Sequence, residues 1–308
     1  MIQDIAPKVF HNPYIPGKLP KTGDRVFCFD GEKALVIEEG EVVRLPLFEE
    51  MDSTFGELAY TYLFAIDDEL FFLCLSDLAS HEKIVWENPE NRAYGGNDTV
   101  IAVSAGQSVR WSFHPIRELR SSLAGHKELV FATFTARQLG RWYRDNRFCG
   151  TCGSRTELHD KERAVKCPVC GRIIYPRIIP AVIIAVTNGD EIILTRYNRK
   201  GAKYNALVAG FTEIGETLEE NVAREVMEEV GLKVRNIRYY KSQPWGIVDD
   251  LLVGFYCDVD GDPTITVDQS ELKSAVWTKR EDIELQPDDY SLTNEMMTVF
   301  KEGREPRA

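Results

Sequence analysis

Residues 210–232 read GFTEIGETLEENVAREVMEEVGL, and the spacing inside this stretch decides how the rest of the chain is read. Thr217 followed by Glu220 fits a capping box, so a helix is predicted to begin near Thr217. Gly231 suits the left-handed position that ends such a helix. Val222, Val226 and Val230 recur at helical spacing and form a stripe to be buried. Glu225, Glu228 and Glu229 stand at i, i+3 and i+4 and share another face. Like charges so placed repel unless something neutralises them. A hard divalent cation does so, and Mg²⁺ held by carboxylates commonly holds substrate phosphates as well. A solvated acidic face is the simpler reading of a charge run. It leaves the glycines, the lone Arg224 and the valine stripe unexplained.

Two CxxC pairs stand upstream, Cys149–Cys152 and Cys167–Cys170, each followed by a glycine that permits a tight turn, Gly153 and Gly171. Four thiolates suit tetrahedral zinc in a closed structural site, and two knuckles argue against a single redox CxxC. A Cys₄ site keeps no open position for water, so no catalysis is assigned to it. Of the seven cysteines, the other three, Cys28, Cys74 and Cys257, lie in apolar runs and read as buried small hydrophobes. The odd count and a start, MIQDIAPKVF, without signal-peptide character point to a reducing cytoplasm.

The 308 residues are 44% hydrophobic and 28% charged, as in soluble globular proteins, and no apolar run is long enough to span a membrane. The net charge of -12 disfavours broad non-specific nucleic-acid binding. Three segments are expected: an N-terminal domain over 1–130, a linker helix with the zinc ribbon over 131–176, and a catalytic domain over 177–308. RVFCFD, KALVIEE, VVRLPLF, ELFFLCLS and DTVIAVSA read as strands of a β-rich or α+β N-terminal domain. FATFTARQLGRWYRDN reads as a helix leading into the ribbon. YPRIIPAVIIAVT reads as a buried central strand, EIILTRY as the next after a turn at Asn188-Gly189, and VRNIRYYKSQ, LLVGFYCDV and SAVWTKR as further strands. SLTNEMMTVFKEG reads as a C-terminal helix. Strands flanked by helices in this order predict an α/β fold with a mixed sheet.

Gly210, Glu216, Arg224, Glu225, Val226, Glu228, Glu229, Gly231 and Leu232 together resemble the Nudix box. The resemblance implies an α/β/α sandwich that hydrolyses a nucleoside diphosphate linked to another moiety, using Mg²⁺ or Mn²⁺. The order of ribbon, YPRIIPAVI and box, with ARQLGRWYRDNRFCGTCG and Ser242-Gln243-Pro244-Trp245, resembles the bacterial NADH pyrophosphatase group from about Ala136 onward. That group implies cleavage of NADH, giving reduced nicotinamide mononucleotide and AMP, as a homodimer, with removal of NAD caps from RNA 5′ ends in some members.

By the same resemblance Glu225 and Glu229 bind the catalytic metal, Glu228 lies close, and Glu271 and the carbonyl of Ala209 complete the shell. Arg224 orients the glutamates. Tyr175 and Phe211 match positions that contact the nucleotide, and flat aromatic faces suit stacking. Glu162, Ile183, Thr293 and the segment Gln243, Pro244, Trp245, Gly246, Ile247, Val248, Asp249 and Asp250 match further substrate-binding positions. The chain departs from the group after Trp245, where Pro-Phe-Pro, any residue and Ser give way to Gly246–Asp250. Two rigid prolines and an aromatic are lost and two acids gained, which predicts a change of substrate choice rather than of reaction. Hydrolysis of ADP-ribose or diadenosine compounds, and nucleotide sensing without turnover, are the alternatives. Retention of every box glutamate favours an enzyme over a sensor.

Overall fold

The computed structural model describes residues 1–78, 85–86, 100–101, 110–123, 126–198 and 204–307. Two compact units result. One comprises Ile5–Arg177 with Gly246–Val248, the other Met1–Asp4, Ile178–Trp245 and Asp249–Ala308.

In the first unit a four-stranded sheet runs in the order Phe10–His11, Tyr60–Ile66, Glu69–Cys74, Arg25–Phe27. A second sheet joins Arg110–Pro115, Lys33–Glu39 and Phe29–Asp30, with Val42–Arg44 paired to Lys33–Glu39. Their inward residues, among them Leu35, Ile37, Tyr62, Phe72, Trp111 and Phe113, share one apolar cluster with Met51 and Phe55. The VVRLPLF stretch ends as a strand at Arg44, and Phe48 starts the helix Phe48–Phe55. That helix begins where Glu50 turns its carboxylate back onto the Leu47 amide at 2.9 Å, a local capping bond that outweighs the apolar run. Of DTVIAVSA, Val100–Ile101 is a strand and the rest lies outside the described residues.

The helix expected before the ribbon spans Lys127–Asp145 and buries Phe131, Phe134, Leu139 and Trp142, so its aromatics are core. Gly140 lets this helix approach the sheet: a Cβ there would meet the Phe29 ring at 2.8 Å. The ribbon follows as three two-residue strands, Glu157–Leu158, Val165–Lys166 and Ile173–Ile174.

The second unit is a mixed sheet in the order Lys233–Trp245, Asp250–Asp260, Ile179–Asn188, Glu191–Tyr197, Leu272–Lys279, with Val208–Phe211 also paired to Ile179–Asn188. Only the pairing of Ile179–Asn188 with Asp250–Asp260 is parallel among the described strands of this sheet. Strand period two divides the central strand between two cores. Val182, Ile184 and Val186 pack with Val222, Val226 and Val230 of the Leu218–Val230 helix. Ile183 and Ala185 pack on the opposite face with Met296, Met297 and Phe300 of the Leu292–Lys301 helix. The result is a helix–sheet–helix sandwich, with the box helix pinned by its valine stripe.

Gln243 is fully buried, and its side chain fixes the entry to the C-terminal helix. Its Nε2 donates to Tyr290 O at 2.7 Å and to Gln3 Oε1 at 3.1 Å, and its Oε1 accepts from Leu292 N at 2.7 Å. Removing this amide strands a buried donor and acceptor, at a cost of about 1–3 kcal/mol. Gln243→Ala is therefore expected to lower the unfolding free energy by that amount, read as a lower urea midpoint at an unchanged m-value; an unshifted midpoint would refute this role.

Candidate active site

The box helix starts and stops where its sequence requires. Thr217 Oγ1 accepts from Glu220 N at 3.2 Å, Glu220 Oε2 accepts from Thr217 N at 2.8 Å, and Gly231 ends the helix at φ 70°. With the valines buried, the acidic face is presented in three different environments. Glu225 is 9% exposed and Glu229 2% exposed, whereas Glu228 stands in solvent.

Arg224 organises the group. Its Nε and Nη2 grip Glu216 in a two-point pair at 2.6 and 3.0 Å. Its Nη1 donates to Glu225 at 2.8 Å and Glu228 at 2.9 Å. Nη2 also donates to Asn221 Oδ1 at 2.9 Å and to the Phe211 carbonyl at 3.0 Å. A planar guanidinium is suited to such a fork. Arg224 thus ties the loop before the helix to two carboxylates on it. Buried Asn221 extends the tie, donating to Thr212 Oγ1 at 2.8 Å. Neither Glu216 nor Asn221 was singled out as a site residue from sequence, although Glu216 occupies a fixed position of the box.

Gly210 has a definite steric reason. A Cβ there would lie 1.9 Å from Cδ of Glu225, so the bare glycine leaves the space the carboxylate fills. Burial pushes the Glu225 carboxyl up, against the opposing pull of Arg224. Glu229 has no such partner: neither of its oxygens is hydrogen-bonded. Burial first, then the charges of Glu225 and Glu271, push it up to about 8. The Ala209 amide lies close enough to favour the ionised form, short of hydrogen-bond geometry. An unsatisfied buried carboxylate facing two others is the donor set that a hard divalent cation completes. Glu271 is exposed on the loop before Leu272–Lys279, within electrostatic reach of both. The carboxylates do not close as tightly as the cysteines. Among the described residues, Cys149, Cys152, Cys167 and Cys170 form the only group of three or more such side chains whose ligand atoms lie within 4.8 Å of one another.

In that cysteine cluster, Cys149 and Cys170 sulfurs lie 3.6 Å apart and those of Cys152 and Cys167 3.4 Å. Tetrahedral zinc with bonds of about 2.3 Å needs sulfurs roughly 3.8 Å apart, so the thiolates fit the ion with slight expansion. The amides of Thr151 and Cys152 hold the Cys149 thiol down at about 6, in the direction of a ligating thiolate. All seven cysteines are free thiols, and Cys28, Cys74 and Cys257 are buried as expected.

The remaining candidates fall in several places. Phe211 is exposed beside the Glu225 cradle. Ile183 lies in the apolar cluster of the C-terminal helix, and Thr293 is half-buried in that helix's first turn. In the first unit, Tyr175 donates its hydroxyl to Glu162 at 2.8 Å, both exposed. Pro244 is exposed and Trp245 half-buried.

Trp245 pairs with Asp250, so 246–249 form the turn of a hairpin, with Asp249 at φ 67°. Ile247 is buried and Val248 exposed. A Cβ on Gly246 would lie 2.2 Å from the Phe134 carbonyl, which leaves no room for a proline ring. The two new acids do not extend into solvent. Asp249 and Asp250 are 4% and 5% exposed, and burial, with the charge of Asp249, pushes Asp250 up to about 7.

With this geometry the comparisons agree. Residues 177–298 match the NUDIX domain, and residues 144–175 the NADH pyrophosphatase zinc ribbon domain. The chain is 37% identical over 225 residues to the NAD-capped RNA hydrolase NudC of Klebsiella pneumoniae, covering 68% of this chain and 86% of that protein. The chain belongs to the NudC family of Nudix hydrolases. A NudC of Pseudomonas aeruginosa is 39% identical over 166 residues, covering 54% of this chain and 59% of that one. A crystal structure of a NUDIX hydrolase from Nitrosomonas europaea is 21% identical, covers 51% of this chain and 92% of that chain, and has a TM-score of 0.45.

Two outcomes are expected. Glu229→Gln removes a buried, unsatisfied charge, so kcat should fall by about 100-fold or more while the metal-free melting temperature holds or rises. Near-normal turnover, or a marked loss of stability, contradicts the assignment. Purified protein should contain one zinc per chain by elemental analysis, and Cys167→Ser should lose the zinc and melt earlier, because metal-binding free energy is folding free energy. Wild-type protein free of zinc with four reactive ribbon thiols would exclude the site.

Proposed function

We propose that this chain hydrolyses the pyrophosphate bond of NAD(H), giving nicotinamide mononucleotide and AMP, and removes NAD caps from RNA 5′ ends. The observation that carries this reading is the Arg224-braced pair Glu225 and Glu229 behind Gly210, in a chain that also carries the ribbon and similarity of the NAD-capped RNA hydrolases. Glu225 and Glu229, with Glu271 and the Ala209 carbonyl, would hold Mg²⁺ or Mn²⁺, which when bound offsets pyrophosphate charge and acidifies a water. Arg224 keeps Glu225 and Glu228 in place rather than touching substrate. Glu228, exposed on the same face and held through Oε2 by Arg224, keeps Oε1 to accept a proton from the attacking water, a role it shares as a candidate with Glu229. Phe211 offers an exposed flat face for a base.

The hairpin turn favours a second reading within the same chemistry, in which ADP-ribose or a diadenosine compound is preferred. Buried Asp250, standing where related enzymes place serine, supports it. No described helix is long and apolar enough to cross a membrane. The free thiols suit a cytoplasmic enzyme, and we assign it a homodimer like its group.

The deciding experiment is kcat/KM for NADH, NAD⁺, ADP-ribose, a diadenosine compound and NAD-capped RNA with Mg²⁺ or Mn²⁺, products identified by mass. NADH or capped RNA should lead, and Asp250→Ser should shift the ratio of NADH to ADP-ribose about tenfold, or 1.4 kcal/mol. Absence of turnover on every compound would reject the hydrolase, and a lead for ADP-ribose would select the second reading.

A further inference from the structure

A cavity of about 380 Å³ is lined by residues of the first unit alone, and no Nudix glutamate is among them. Five arginines line it: Arg137, Arg141, Arg144, Arg147 and Arg155. Three acids, Asp30, Asp77 and Glu157, share the lining, so the cavity carries a positive excess in a chain of net charge -12. Arg137, Arg141 and Arg144 recur at i, i+4 and i+7 along one face of the Lys127–Asp145 helix. Arg147 follows the helix end. Arg155 is brought beside it by the first knuckle, where Thr156 N donates to Arg147 O at 3.0 Å and Phe148 bridges Arg155.

Ordinary structural roles account for only part of this set. Arg141 and Arg144 stand near a helix C-terminus, where cations are favourable, and reach Asp145 at 3.7 and 3.5 Å. Arg137, 2% exposed, pairs with Glu32. Neither Arg147 nor Arg155 has an ion-pair partner among the described residues, and both are exposed. Helix stability does not require five guanidiniums on one cavity, since like charges at these spacings repel. An anion of more than one charge resolves that repulsion, and arginine matches phosphate oxygens by two-point hydrogen bonds. Phe29, Leu73, Leu75, Leu158 and Val165 give the rest of the lining an apolar share beside Ser76 and Thr156, and the volume is that of a small-molecule pocket.

We infer that this cavity is a second ligand site, which takes a nucleoside phosphate with its phosphates on the arginines and its base against the apolar lining. The same chemistry is offered by a free nucleotide and by the 5′ end of an RNA chain. The site uses none of the residues placed in hydrolysis, so it stands whether or not the substrate assignment above does.

The probe is ADP carrying a ribose-linked N-methylanthraniloyl fluorophore, titrated into zinc-loaded full-length protein without added Mg²⁺ or Mn²⁺ and followed by anisotropy. The double variant Arg144→Glu/Arg155→Glu should raise Kd about tenfold or more, while NADH turnover with Mg²⁺ and the probe affinity of Glu229→Gln stay near wild type. If the charge-reversed protein melts early, Arg144→Ala/Arg155→Ala serves in its place and should also weaken binding. Competition by unlabelled ADP against a 5′-phosphorylated hexaribonucleotide then assigns the source, the tighter competitor naming it. A Kd unmoved by the arginine variants, a Kd lost on Glu229→Gln, or no displacement by either competitor would overturn the site.

Discussion

The catalytic half of this molecule rests on one guanidinium. Glu216, Glu225 and Glu228 would repel one another between the loop and the later turns of the box helix, and Arg224 bonds to all of them. Because it also holds the Phe211 carbonyl and Asn221, the same side chain fixes where the strand Val208–Phe211 ends relative to the helix. Arginine rather than lysine is needed, because several acceptors in different directions must be met by one rigid plane of donors. Glu229 lies beyond its reach and stays unsatisfied. The division is useful: some carboxylates are held in shape without an ion, and one remains with its full capacity for a ligand.

Packing makes that arrangement rigid. Each valine of the box helix is fully buried, and a buried valine stabilises by about 1.5–3 kcal/mol, enough in sum to hold a helix whose other face is electrostatically unfavourable. The strand Ile179–Asn188 supplies both cores by alternation, so a one-residue slip would exchange Val182 and Ile183 and dismantle both packed layers together. Register of the central strand and placement of the acids are thus a single constraint.

Much of this was legible in the residues, because it is encoded by short-range spacing. The capping pair Thr217 and Glu220, the terminal Gly231 and the valine stripe are periodic signals that a helix must obey. The knuckle cysteines meet in space because ligand spacing within each CxxC fixes local geometry. What was not legible depends on distant residues. The strand Tyr60–Ile66 and the helix Phe48–Phe55 are set by tertiary packing and by one capping carboxylate within an apolar stretch. The clamp of Gln243 on Tyr290 and Leu292 spans segments far apart in sequence, and nothing local marks it. The burial of Asp249 and Asp250 likewise has no local signal in the sequence.

The close approach of Gly246 to the Phe134 carbonyl has a consequence for how this branch can diversify. A turn whose first residue is sterically tied to a helix backbone more than a hundred positions earlier is not a module that can be exchanged between relatives. Sequences with a proline there must carry a compensating displacement of that helix, and sequences with glycine must keep the helix close. Substitutions at the two places are therefore expected to be epistatic, each tolerated only on the matching background. Drift in ligand preference along this lineage would then proceed through paired changes, slowly and by few routes, rather than by free variation of a surface loop.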